Sequence, residues 1–219
     1  MKSFTRLTAF LWVGAALLLT QMAKAEIVYN NSSNDLTNNF NPGLLEVGDQ
    51  IILGGATRQI TNFIFQYYGV NFSGDEAVRL RFYANDGAPF NGYATPGTVL
   101  YDSGFFTGIG STPRNTIIYD RSTLNGGVNV PDEFTWSVLF TGIGAGESAG
   151  VTLYDPPTTG SSYPDYWEFS SGSWSLKTNA VYNMNFAARA EATVPEPSAA
   201  GLLLIGSIGA WLARRKLRA

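Results

Sequence analysis

The 219-residue chain contains no cysteine and no histidine. The first absence excludes disulfides, thiolate metal sites and a cysteine nucleophile, so an exported domain of this sequence must hold together without covalent staples. The second removes any Ser-His-Asp triad and the His-ligated zinc sites, the His-Glu-x-x-His type among them. Only carboxylate chemistry is left for an enzyme. Charge is scarce too, since Asp, Glu, Lys and Arg together make up 14% of residues, about half the usual share. Helical periodicity is also missing: between Glu26 and Thr193 no segment repeats its apolar residues every 3.6 positions.

What is present in quantity is glycine, at 24 residues, and aromatic side chains, at 14%. Few charges and many rings set the chain apart from disordered sequences and point to an extracellular, β-rich body. The formal charge of −3 is unevenly spread. Lys2, Arg6 and Lys24 lie at the front and Arg214, Arg215, Lys216 and Arg218 at the back, leaving residues 26–193 with 16 acidic and 7 basic residues, a net −9. A body of that sign repels phosphate backbones and makes nucleic acid a poor partner.

The front of the chain has the build of a secretory signal peptide over residues 1–25. Lys2 and Arg6 form a positive region, residues 7–19 an apolar one, and Ala23-Lys24-Ala25 an A-x-A cleavage site. The apolar stretch is shorter than the roughly 20 residues of a membrane-spanning helix, which argues against an uncleaved anchor. Cleavage after Ala25 starts the mature protein at Glu26. Residues 30–43 read as a polar loop, in which Asn30 and Asn31 each open an N-x-Ser pattern.

From residue 47 to residue 192 the period is two. Strands are expected at 48–53, 57–68, 78–83, 99–106, 116–120, 134–141, 150–154, 166–169, 174–177 and 181–190. The clearest is 134–141, where Phe134, Trp136, Val138 and Phe140 share one face, and a one-residue slip would expose all four. Arg79 and Arg81 share an outer face. Phe106-Thr107-Gly108-Ile109-Gly110 echoes Phe140-Thr141-Gly142-Ile143-Gly144, and two copies indicate similar strand-to-loop turns rather than a repeat architecture. Some ten short strands between Gly, Pro and Asn turns predict an all-β, antiparallel β-sandwich of jelly-roll type over 26–193, flanked by an N-terminal signal helix and a C-terminal transmembrane helix.

The tail, residues 194–219, has three parts in order: Pro195-Glu196-Pro197, an uncharged apolar run over 198–213, and Arg214-Arg215-Lys216. As a helix the run spans about 24 Å against a hydrocarbon core of about 30 Å. Its Leu and Ile residues favour insertion by only about 2–4 kcal/mol. It is a modest anchor. The basic cluster sets topology, with the C-terminus cytoplasmic and 26–193 outside, and the two prolines keep the approach to the span extended. A GPI signal ends in its hydrophobic stretch and so fits poorly.

These three parts resemble the PEP-CTERM sorting domain. The resemblance implies export across the inner membrane of a bacterium with an outer membrane, transient anchoring, and processing by an exosortase, a membrane cysteine protease. It further implies delivery to the cell surface or extracellular matrix in association with exopolysaccharide. The one departure in the span is the turn-like Gly206-Ser207. A looser resemblance, through Val-Pro-Asp-x-Phe-Thr-Trp at 130–136, links the body to the variable β-rich bodies of that group and carries over no catalytic residue.

Within the body, residues 155–168 place rings beside acids. Tyr163, Asp165, Tyr166 and Trp167 are the candidate glycan-binding residues, with rings to stack on sugar faces and a carboxylate to accept hydroxyl hydrogen bonds. The structural alternative makes Trp167, Phe169 and Trp174 the core of a hairpin with the acids on its rim. A glycan hydrolase needs two carboxylates about 5–10 Å apart. Asp165 with Glu168 is one pair among many, and nothing singles it out. For calcium, Asn85-Asp86-Gly87 and Asp132-Glu133 offer oxygens but no Asp-x-Asp-x-Asp loop, so turns are the better reading. The sequence therefore predicts a non-catalytic surface or matrix protein with no cofactor and no metal site. A carbohydrate-binding module is the first alternative and a carboxylate-based hydrolase the second.

Overall fold

Alternation between apolar and polar residues is strongest in the strand Glu133–Thr141, and it governs the architecture around it. In the computed structural model, which describes residues 25–193, Phe134, Trp136, Val138 and Phe140 of this strand are wholly buried. Fourteen strands occur, and no helix, among the described residues. In chain order they are β1 Ala25–Asn31, β2 Asp35–Phe40, β3 Glu46–Ile52, β4 Gln59–Val70, β5 Ala77–Ala84, β6 Val99–Thr107 and β7 Thr112–Tyr119. The series continues with β8 Val128–Asn129, β9 Glu133–Thr141, β10 Ser148–Tyr154, β11 Ser161–Ser162, β12 Asp165–Ser170, β13 Ser173–Thr178 and β14 Ala188–Thr193. They form two antiparallel sheets packed as a β-sandwich. The signal segment with Ala23, the sorting motif Pro195, Glu196 and Pro197, the span 198–213 and the basic residues Arg214, Arg215 and Lys216 lie outside the described residues.

The first sheet is organised by the 12-residue strand β4. Along one side it pairs with β14 and then β10, which lie end to end, and along the other with β8 and β7. Beyond them, β1 flanks β14 and β2 flanks β10. The second sheet runs β13-β12-β3-β9-β5-β6, with the short β11 beside β3.

Aromatic rings join the two sheets. Phe63 and Phe65 of β4 meet Trp136 of β9 at centroid distances of 5.2 and 5.8 Å, and Phe63 meets Phe82 of β5 edge-on at 4.9 Å. Phe186 meets Trp136 edge-on at 5.9 Å. Each such pair adds about 0.5–1.5 kcal/mol beyond the area it buries.

The echoed pentapeptides behave alike. β6 ends at Thr107 and β9 at Thr141, and the glycines that follow, Gly108 and Gly142, have φ of +80° and +77°. At Gly142 an added Cβ would also stand 2.5 Å from the Asp75 carbonyl oxygen, so glycine is required there on two counts.

Two expectations need correction. Residues 30–43 are not simply a polar loop, because most of them lie in β1 and β2. Buried Asn31 donates through Nδ2 to the carbonyls of Tyr154 and Phe186, at 2.8 and 3.2 Å, while the exposed face of β2 needs no apolar residues. Long-range pairing has overridden local turn propensity, as it does readily in edge strands. Residues 181–190 are not one strand either; β14 begins at Ala188, preceded by an isolated bridge between Phe186 and Leu153. The alternation read there is real, since Met184, Phe186, Ala188 and Ala190 are all buried. However, the amides of Met184 and Phe186 go to the Pro164 carbonyl and to the Asp49 carboxylate instead of a neighbouring strand.

Since Trp136 bridges both sheets, Trp136→Ala is expected to destabilise the domain by about 3–5 kcal/mol, measured as a shift in urea midpoint at unchanged m-value. A loss below about 1 kcal/mol would mean that the rings around it repack freely.

Candidate functional site

On a strand whose inner residues fill the core, the alternate residues form an outer face. For the second sheet that face carries Glu46 and Gln50 of β3, Arg79, Arg81 and Tyr83 of β5, and Thr135 and Ser137 of β9, brought side by side by register. Glu46 is only 5% exposed and accepts three hydrogen bonds, from Arg81 Nη1 at 2.6 Å, Tyr83 Oη at 2.9 Å and Ser137 Oγ at 2.6 Å. Burial, and then the Glu46 charge, push the Tyr83 phenol up to about 12. Asp102 takes both Arg79 and Arg81, and the hydrogen bond from Arg79 does most to hold its carboxyl well below the usual range. The expected sharing of an outer face by Arg79 and Arg81 is thus realised, in a network that is internally satisfied.

Beside this network, where β3, β9 and β12 meet the loop after β5, lies a cleft of about 540 Å³. Gln50, Tyr93, Glu133, Tyr163, Asp165 and Trp167 are among the residues that line it. Its floor is a relay of hydrogen bonds: Trp167 Nε1 donates to Gln50 Oε1 at 2.8 Å, and Gln50 Nε2 donates to Glu133 Oε1. Trp167 stands opposite Gly48 in the β12–β3 register and is 1% exposed. A Cβ at Gly48 would come within 2.6 Å of Thr135 Cγ2, so this row of the outer face has no room for another side chain.

Two walls carry accessible rings. Tyr163 is 38% exposed and Tyr93 61%. Tyr93 sits on a two-residue hairpin: Phe90 and Tyr93 exchange backbone hydrogen bonds of 2.9 and 3.0 Å around Asn91-Gly92, whose φ angles of +51° and +88° are those of a type I′ turn. Tyr163 is fixed from behind. Ser162 Oγ donates to Asp49 Oδ1 at 2.5 Å, and Gly160, at φ +71°, turns so close to β3 that a Cβ would stand 2.5 Å from the Ile52 carbonyl oxygen. Burial, followed by the charge of Glu133, raises the Tyr163 phenol.

The carboxylates of the cleft differ in what they have left to give. Asp86 spends both oxygens on Thr98, at 2.6 and 2.7 Å, which lowers its carboxyl. Glu133 accepts from Gln50. Asp165 is raised by partial burial, and among the described residues no other residue donates to it.

The sequence candidates divide accordingly. Tyr163, Asp165 and Trp167 meet in the cleft, although the Trp167 ring is floor and not platform. Tyr166 does not join them. It faces the sandwich interior, 4.9 Å from Phe40 and 6.2 Å from Phe186. Asp165 and Glu168 also point to opposite faces of β12, and Glu168 pairs with Lys177 at 3.7 Å, so they do not form a carboxylate pair across one site. Asn85-Asp86-Gly87 is a turn braced by Thr95 and Thr98, and Asp132 is taken by Arg58 at 2.6 Å. Among the described residues no group of three acidic side chains is placed to hold a metal.

Sequence reasoning missed Tyr93 and Gln50, and weighed Glu133 only as a calcium ligand beside Asp132. The Asn91-Gly92 dipeptide was the signal for the first. Nothing local marks the other two, which are brought together by the β3–β9 register. A scan of protein-family models matches no family, and searches of curated proteins and of solved structures return no match.

Asp49, on the inner face of β3, is wholly buried. It accepts from Ser162 and, at 2.9 Å, from the Phe186 amide, yet burial outweighs both hydrogen bonds and pushes its carboxyl up to about 8. Its unfolded value is about 3.9, so the stability it contributes is complete below about pH 4 and is lost as pH rises to about 8. Denaturation of the full chain should show stability falling across that interval, by at most about 1.4 kcal/mol per pH unit. Asp49→Asn should flatten the profile whatever it does to the absolute value. An unchanged slope in that variant would place the titrating group elsewhere.

Proposed function

We propose that this chain is an exported, non-catalytic cell-surface or matrix protein, delivered by a PEP-CTERM sorting tail and retained in association with exopolysaccharide. Its body, on this reading, is a jelly-roll sandwich. The jelly roll is supported by the strand order β2-β10-β4-β7 in one sheet facing β3-β9-β5-β6 in the other. That is the order in which eight strands wound as two Greek keys come to lie. A non-catalytic role is supported by the lack of His and Cys and by the opposed directions of Asp165 and Glu168.

The observation that carries the delivery reading is the placement of the three-part tail directly behind β14. In the β1–β14 register Ala25 stands opposite Thr193. The residue before the expected signal cleavage and the residue two positions before Pro195 therefore share one corner of the sandwich. Processing at both ends would remove the two hydrophobic segments and cost the strand ladders only the terminal Ala25–Thr193 pair. An exosortase-type membrane protease is the partner this requires, with the membrane engaged through residues 198–213 before processing. A second reading, glycan recognition, is favoured by the cleft between Tyr93 and Tyr163.

In a bacterium that carries an exosortase, the wild-type chain should reach the surface or the medium shortened at both ends. With Pro195→Ala, Glu196→Ala and Pro197→Ala combined, it should stay in the membrane fraction with its tail intact, as read by fractionation and intact mass. Identical distribution of the two forms would remove the sorting claim.

A further inference from the structure

We propose that the cleft over β3, β9 and β12 is a binding site for neutral polysaccharide, with Tyr93 and Tyr163 as stacking platforms and Asp165, Glu133 and Gln50 as hydroxyl partners, and that acidic glycans are excluded from it. The proposal deepens the glycan reading and rests on it.

Three observations carry it. The first is the rings. A buried tyrosine is ordinarily core, but Tyr93 and Tyr163 are 61% and 38% exposed while lining a recess of about 540 Å³, within the range of small-ligand sites. The faces of such rings match the apolar C–H faces of a pyranose. The second is rigidity. Tyr93 rides on the Asn91-Gly92 hairpin, and Tyr163 follows Ser162, which is tied to Asp49, so a ligand would have little side-chain or loop motion to quench.

The third observation selects the ligand. Asp86, Glu133 and Asp165 line the cleft, and among the described residues no Lys or Arg does. Nearby cations are already engaged: Arg58 with Asp132, Arg81 with Glu46 and Asp102, and Lys177 with Glu168. A uronate or sulfate would therefore enter a recess of like charge with no counter-charge to meet it, in a medium less screening than water. A neutral sugar meets no such barrier. Its hydroxyls can donate to the Asp165 carboxylate, which no other described residue engages, and to the lone pairs of Glu133 left beside its hydrogen bonds with Gln50 and the Tyr163 phenol.

The test is affinity electrophoresis of the full chain in a detergent without a sugar headgroup. The gels contain hydroxyethylcellulose, dextran or galactomannan as neutral polymers and alginate as the acidic one. At least one neutral polymer should retard the wild type, and alginate should not. Tyr93→Ala and Tyr163→Ala should each weaken retardation by about threefold to tenfold. Tyr182→Ala, an exposed tyrosine outside the cleft, should leave it unchanged. Equal urea midpoints for the three variants would show that folding is not the cause. No retardation by any polymer would overturn the glycan reading itself. Retardation by alginate equal to that by the neutral polymers, or cleft variants that bind like Tyr182→Ala, would overturn this site and this ligand class. Neither result bears on sorting, which is read by fractionation.

Discussion

The contact on which the structure depends is the meeting of Trp136 with Phe63, Phe65 and Phe186 between the sheets. Without disulfides, the two sheets are held in alignment by packing, and this cluster is where their central strands touch. It also fixes what lies outside. Because side chains alternate along a strand, placing Trp136 inward places Thr135 and Ser137 outward. The β3–β9 register then sets Gln50 beside Thr135, with Glu133 two residues along on the same face. A one-residue slip of β9 would expose Trp136 and bury Thr135 and Ser137, removing the Gln50–Thr135 neighbours from one face. The floor of the cleft is therefore a by-product of how the core packs.

Strand β3 places a buried carboxylate on each face, and the two are handled in opposite ways. Glu46 is matched by the Arg81 guanidinium and two hydroxyls, so the desolvation of its charge is offset locally. Asp49 has hydrogen bonds but, among the described residues, no cation beside it, and burial shifts it toward the neutral form. It is also what ties the backbone near Phe186 and the loop before Tyr163 to one point on β3. The core and the cleft wall thus share an anchor, and a change at Asp49 would be felt on both sides of the sheet.

Much of this was legible in the sequence where the information is local. The alternation in β9 gave its inward face residue by residue, and the paired Phe-Thr-Gly-Ile-Gly segments end their strands with the same left-handed glycine. Period two also explains why Tyr163, Asp165 and Trp167 gather while Tyr166 and Glu168 fall on the other face. Grouping Tyr166 with its neighbours set sequence proximity above that rule. What was not legible is non-local. The polar residues of β1 and β2 become strand only because β14 and β10 offer them partners more than a hundred residues away. Gln50 and Glu133 meet only once β3 and β9 have paired. Around residues 184–187 the burial pattern is that of a strand, and Asn185 and Ala187 do bond to neighbouring strands, but the amides of Met184 and Phe186 go to a loop carbonyl and a side-chain carboxylate, which no pattern of hydrophobicity can reveal.

The position of the last strand has a mechanical consequence. β14 is not at an edge: it is bonded to β1 on one side and to β4 on the other. A pull directed along the β14 axis acts at right angles to its hydrogen bonds. The rungs on both sides then resist together in shear, where an edge strand pulled sideways would peel away one rung at a time. Resistance of this kind is a matter of the unfolding barrier and not of equilibrium stability.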